Sequence, residues 1–186
     1  MSLTIWEVLG VEEQRKPMKV LKKAETVQEF EYPLHVQAIP EGTPCLLMCY
    51  EGVFYIFSVT GKQLKGTRDL ISKIKMSTSE REPFIMYCIL QEDSFAEETF
   101  VACLDIYQIS EFLEGEIILP WSLRRCSINH LLRQGFLGYK PFSLYIGADE
   151  TTVLSGLGKE NLYAINNKAN LKIGEEALHL KEVTDL

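Results

Sequence analysis

The feature that most constrains this chain is the run at residues 34–64, "LHVQAIPEGTPCLLMCYEGVFYIFSVTGKQL". Within it, "LHVQAI", "PCLLMCYE" and "VFYIFSVT" are short segments rich in β-branched and aromatic residues, the composition of strands on a pleated, half-buried surface. Glu51-Gly52 is a turn signal joining the last two into a hairpin.

The pattern continues downstream. "PFIMYCILQ" and "TFVACLDIYQI" read as two more strands, linked by the acidic loop "EDSFAEE". "FSLYIG", "NLYAIN" and "ALHLKEV" read as further strands, with the Gly-rich turn "SGLGKE" before the second. Helical spacing places Leu70, Ile71 and Ile74 on one face of "TRDLISKIKM". "PWSLRRCSINHLLRQ" is a second helix, with Pro120 near its start and Leu123, Ile128, Leu131 and Leu132 apolar. Residues 1–30 hold two charged amphipathic segments separated at Pro17 and are expected to be a helical extension; Thr4 is a candidate N-cap, and the first helix should end near Gly10. Hairpin-linked strands with intervening helices predict an antiparallel α+β fold, and 186 residues fit a single domain spanning 1–186.

Hydrophobic residues make up 46% of the chain, enough for a sizeable core. The net charge of -7 argues against broad clamping of nucleic acid, which relies on Lys and Arg neutralising phosphates. The five cysteines form no CxxC pair and the three histidines are scattered, so no clustered zinc ligands and no metal site are expected. Cys45 and Cys49, four apart in one strand, should point to the same face as reduced core thiols. No basic-then-apolar leader is visible, and "CLLMCY" and "EIILPW" are too short to span a bilayer. A soluble protein of the cytoplasm or nucleus, without a membrane partner, is the expectation.

Some polar residues attract notice. Asp105 interrupts an apolar strand and needs partners if buried. Arg124 and Arg125 read as a solvated helix face. "SGLGK" at 155–159 lacks the spacing of a phosphate-binding P-loop. Ser127, Asn129 and His130 share one helix without a nearby carboxylate, so they do not make a catalytic triad.

Taken in order, these segments resemble the adenylation (nucleotidyltransferase) domain of the superfamily of ATP-dependent DNA ligases, RNA ligases and mRNA-capping enzymes, and small phage-type DNA ligases in particular. "KPMKVLKKAE" and "FEYPLHVQ" resemble the lead-in with its Pro-Met pair. "AIPEGTPCLLMCYEGVFYIFSVTGKQL" resembles the nucleophile strand, hairpin and S-R-x-G segment. "FVACLDIYQI" resembles the F-D-I-L strand and "PWSLRRCSINHLL" the helix after it. "KENLYAINNKANLKIGEEALHLKEV" resembles the E-G-x-x-x-K strand and the terminal K-x-K strand. The resemblance implies two antiparallel sheets with flanking helices around a nucleotide cleft, without the OB-fold domain of complete ligases.

It also implies which residues to inspect. The family reaction is attack by a lysine amine on the α-phosphate of ATP or GTP. The lysine of K-x-D-G-x-R aligns with Ile39, and Pro44 stands for the arginine; Glu41 keeps a carboxylate and Gly42 the turn glycine. Val59 stands for the arginine of the next segment, where Gly61 remains. The acidic position of the following strand is Ile89. Glu160 aligns with the metal-supporting glutamate, Ile165 with its lysine, and Lys181 and Val183 with the two terminal lysines. Nucleotidyl transfer rests on positioning and charge stabilisation, so no catalytic residue survives. The expectation is an inactive nucleotidyltransferase-fold module with a protein partner, its cleft filled by Ile39, Val59, Ile89 and Ile165. The alternative is a non-covalent binder of a nucleotide such as ATP or GTP, a cap-like group or a nucleic-acid end, through Glu41, Gly42, Gly61, Glu160 and Lys181. Tyr50, Tyr55, Phe57 and Tyr87 would be its base-stacking candidates. An active ligase would need a relocated lysine, such as Lys62, Lys65 or Lys159.

Overall fold

The computed structural model of the chain describes residues 3–12, 22–24, 34–77, 82–93, 98–141, 143–146, 162–166, 171–172 and 177–180. Its centre is a four-stranded antiparallel sheet. The strands are β3 (Thr43–Tyr50), β4 (Val53–Ser58), β5 (Phe84–Asp93) and β6 (Glu98–Gln108), ordered β4-β3-β5-β6. Glu51 and Gly52 join β3 to β4 with φ of 50° and 73°, the left-handed pair that the tightest hairpin turn requires. A register shift between Tyr87 and Cys88 marks an irregularity in the β5–β6 pairing.

A second sheet of five strands has the order β1-β11-β9-β2-β8. It contains β1 (Lys22–Ala24), β2 (Leu34–Ala38), β8 (Ser143–Ile146), β9 (Leu162–Asn166) and β11 (Ala177–Leu180). The expected pair of antiparallel sheets is therefore present, with one parallel edge where β1 meets β11. Two short strands, β7 (Glu116–Ile117) and β10 (Leu171–Lys172), form a separate antiparallel pair.

Much of the N-terminal stretch expected to be a helical extension lies outside the described residues. In residues 1–30 the described helix is α1, Ile5–Leu9, closed by a Thr4–Glu7 capping box and by Gly10 in the left-handed conformation. Lys22–Ala24 is a strand. The backbone of a three-residue edge is satisfied by pairing with β11, which overrides the helix preference of its lysines.

Both faces of the four-stranded sheet are buried, which explains its near-continuous apolar strands. Leu46, Met48, Ile85, Tyr87 and Ile89 turn to one face, where Ile5 and Trp6 of α1 join Phe112 and Trp121. Cys45, Leu47, Cys49, Met86 and Cys88 turn to the other. That second face is covered by Leu70 and Ile74 of α2 (Arg68–Ser77) and by Ile128 and Leu131 of α4 (Trp121–Arg133). Cys45 and Cys49 thus share a face, as their spacing predicts. Between β6 and β7 lies α3 (Ile109–Glu114). No helix among the described residues is long and apolar enough to cross a membrane.

Candidate functional site

The site begins where β2 runs into β3. Ile39 and Pro40 leave the end of β2 half-buried, and Glu41 and Gly42 are exposed. The loop is fixed onto β5. Gln91 Nε2 donates to the Glu41 carbonyl at 2.9 Å, and a Cβ added at Gly42 would lie 2.4 Å from the Leu90 carbonyl oxygen. The glycine is needed for this close approach of two backbones.

Val59 follows β4, half-buried, and Gly61 sits buried beyond it at φ of 84°. The Gly61 carbonyl accepts from the Ile5 amide at 2.9 Å, which anchors α1 beside the hairpin. Ile89 lies in β5, 2% exposed. Ile39 and Val59 pack against the same apolar cluster that contains Ile89, together with half-buried Tyr50 and Tyr55. Three of the four residues expected to fill the cleft thus belong to or pack against one apolar cluster. Ile165 is in β9, in register with His35 of β2. Glu160, Lys181 and Lys159 lie outside the described residues, as does "SGLGK". Of the stacking candidates, Phe57 is fully buried and Tyr87 is nearly so, which makes them core.

The seam between the sheets is polar, and sequence reasoning missed most of it. Gln37 of β2 is completely buried. Its Nε2 donates to the Leu104 carbonyl of β6 at 3.4 Å, and its Oε1 accepts from Arg125 at 3.1 Å. Arg125 also donates to the Pro141 carbonyl at 3.0 Å and lies 4.8 Å over the Trp121 ring. Burial draws the Arg125 pKa down to about 10, against the pull of the Asp105 charge. The His35 ring packs 4.6 Å from Trp121, and burial, then Arg125, lowers its pKa below the usual value.

Behind this seam sits the partner that Asp105 needed. Arg124 is 2% exposed, not solvated as its neighbours suggested. Its Nε and one terminal nitrogen each donate to Asp105 at 2.8 Å, and the other donates to the Leu119 carbonyl at 2.6 Å. Asp105 accepts further bonds from the Ile106 amide and the Tyr107 hydroxyl. The correction has a simple cause. Arg124 shares the α4 stripe of Trp121, Ile128 and Leu131, all buried, so the helix turns it inward. Asp105, alone in an apolar strand, was the one sequence signal for this pair.

Beside α4 a cleft of about 660 Å³ opens between the helix, the start of β5 and the end of β6. None of the site residues carried over from the ligase pattern lines it. Its one buried carboxylate, Glu111, has both oxygens occupied by the amides of Gln108, Ile118 and Leu119. Among the described residues no cluster of His, Cys, Asp or Glu could hold a metal ion.

Comparison with known proteins agrees with this architecture. No protein-family profile and no curated protein sequence matches the chain significantly. Solved structures do. The structure named Pmar-Lig_Pre superposes with a TM-score of 0.71 at 10% identity, over 87% of this chain and 45% of that one. The ATP-dependent DNA ligase from bacteriophage T7, solved with ATP, gives 0.68 at 12% identity, over 90% and 69%. An RNA ligase of Naegleria gruberi, solved with ATP and Mn, gives 0.61 at 9%, over 89% and 56%. The chain thus spans less than half of the first of these and more than two thirds of the phage enzyme. At such low identity the likeness speaks for architecture, and it does so over nearly the whole chain: this protein has the nucleotidyltransferase fold of the adenylation domains of ATP-dependent DNA and RNA ligases.

Proposed function

We propose that the chain is a catalytically inactive nucleotidyltransferase-fold module that acts intracellularly through a protein partner, as an interaction or regulatory unit. The observation that carries this reading is that Ile39 and Val59 pack against the apolar cluster that contains Ile89, at the positions where the ligase pattern places a lysine, an arginine and an acid. A nucleotidyl transfer needs an amine in line with the α-phosphate and fixed charges around it. β-Branched apolar side chains supply neither, and they favour a filled site: full burial of one contributes about 1.5–3 kcal/mol. Of the possible substitute nucleophiles, Lys62 and Lys65 are exposed beyond β4. Lys62 is held there by the backbone bridge to Thr4.

The test is thermal unfolding of the purified protein with ATP, GTP, NAD, cap analogues and nicked or single-stranded oligonucleotides, each with and without magnesium. A ligand at a hundred times its dissociation constant adds about 2.7 kcal/mol of stability. A flat panel is expected. A saturable shift with one nucleotide class would overturn the filled-site reading in favour of a non-covalent binder.

A further inference from the structure

The flank of α4 beside the sheet seam carries positive charge that pairs with no carboxylate among the described residues. Residues four apart on a helix share a face, so Arg125, Asn129 and Arg133 form a stripe. Lys140, on the segment that returns after α4, places its Nζ 2.5 Å from Asn129 Oδ1 at the middle of that stripe. Arg125 is held in place by Trp121, Gln37 and Pro141, and Arg133 is exposed. The ion pairs among the described residues are Lys73–Glu98 and Arg124–Asp105, and neither involves Arg125, Arg133 or Lys140. Burial lowers the Lys140 pKa first, and the nearby charges of Arg125 and Arg133 add to it against the opposing pull of Cys126. Such a grouping is unusual in a chain whose net charge is -7.

The adjoining flank of the same helix borders the 660 Å³ cleft, through Cys126, Ser127 and His130, with Phe84, Ile106 and Tyr107 across from them. Of seven exposed large apolar side chains among the described residues, Ile118, Leu123, Leu137 and Tyr139 lie in or next to α4 in sequence. A recess on the same helix as cations that pair with no described carboxylate suits an anchor side chain flanked by carboxylates, since binding energy concentrates in such pockets and rim charges select the partner.

We propose that this face of α4 docks an acidic peptide segment of a partner protein, with one large apolar side chain in the cleft and carboxylates against Arg133 and Lys140. The proposal rests on the interaction-module reading above and names its partner's chemistry. Charge favours a peptide over nucleic acid, because a long polyanion would also meet the repulsion of the acidic remainder.

The probe is a fluorescein-labelled peptide of Glu and Asp residues around one central Trp, titrated with the full chain and followed by anisotropy. Saturable binding that weakens with added salt is expected. Arg133→Glu and Lys140→Glu should each weaken it about tenfold or more, since like charges then face each other. Ser127→Trp, which fills the cleft from an exposed position, should weaken the Trp peptide more than its Ala counterpart. Circular-dichroism melts confirm that each variant is folded. The proposal is overturned by absent binding, by equal binding of a peptide with Gln for every acid, by insensitivity to both charge reversals, or by tighter binding of a single-stranded oligonucleotide. A nucleotide-dependent thermal shift would strike the function reading instead, whatever the peptide does.

Discussion

Removing the Arg124 guanidinium should expose how much of this fold depends on one buried pair. Arg124→Met keeps an unbranched apolar side chain but withdraws at least three hydrogen bonds, two of them to Asp105, and the guanidinium over the Tyr107 ring. The Asp105 side chain is only 10% exposed. It would retain the Ile106 amide and the Tyr107 hydroxyl as partners, and no other ion pair among the described residues involves it. Breaking a buried pair from one side costs about 3–5 kcal/mol, because an uncompensated charge remains. For a domain of this size about 2–4 °C accompanies each kcal/mol, so the midpoint should fall by about 6–20 °C in a circular-dichroism melt. Urea titration gives the free energy directly. Asp105→Leu combined with Arg124→Met should recover much of the loss, since an apolar pair of similar volume is often neutral or better than a buried ion pair. A single-substitution loss below about 1 kcal/mol would refute the reasoning, as would a double variant worse than either single one.

Other consequences follow from single positions. Gly42→Ala should destabilise by about 1–3 kcal/mol in the same urea assay, because its Cβ would lie 2.4 Å from the Leu90 carbonyl oxygen. The lowered His35 pKa means that the unfolded chain binds more protons near and below pH 6.5, so stability present above that pH is lost as the pH falls. His35→Phe should flatten this slope between about pH 7 and 5, and an unchanged slope would place the titration elsewhere. Of the five thiols, exposed Cys126 should be alkylated quickly in the native protein, as peptide mass mapping would show. Buried Cys45, Cys49, Cys88 and Cys103 should react only on unfolding, and burial pushes the Cys45 thiol up to about 12.

The sheets were legible in the sequence because both faces of the central one are buried. Long apolar strands punctuated by Glu51-Gly52 and by polar loops leave few other pairings. The helices α2 and α4 were legible from their apolar periodicity. What escaped was short or depended on distant partners. The six-residue α3 and the two-residue β7 and β10 are below the length at which periodicity speaks. Lys22–Ala24 becomes a strand only because β11 lies beside it. Arg124 looked solvated beside Arg125, since its carboxylate stands 19 residues earlier in a different element. Gln37 gave no sign of burial, although its place in the alternation of β2 decides which sheet it faces. For the site, the resemblance singled out Ile39, Val59 and Ile89, and the fold brings all three to one apolar cluster. The cleft beside α4 was not legible, because it is made by three elements that meet only in the fold.

The central claim is that this fold no longer forms a covalent nucleotide. The most direct measurement is the intact mass of the full chain after incubation with ATP or GTP and magnesium. An unchanged mass is predicted, and it should stay unchanged when Ile39→Lys is introduced alone, because Val59 and Ile89 still withhold the surrounding charges. A species heavier by one nucleotide in the unsubstituted protein, resistant to denaturation and dilution, would contradict the account and point to a relocated nucleophile.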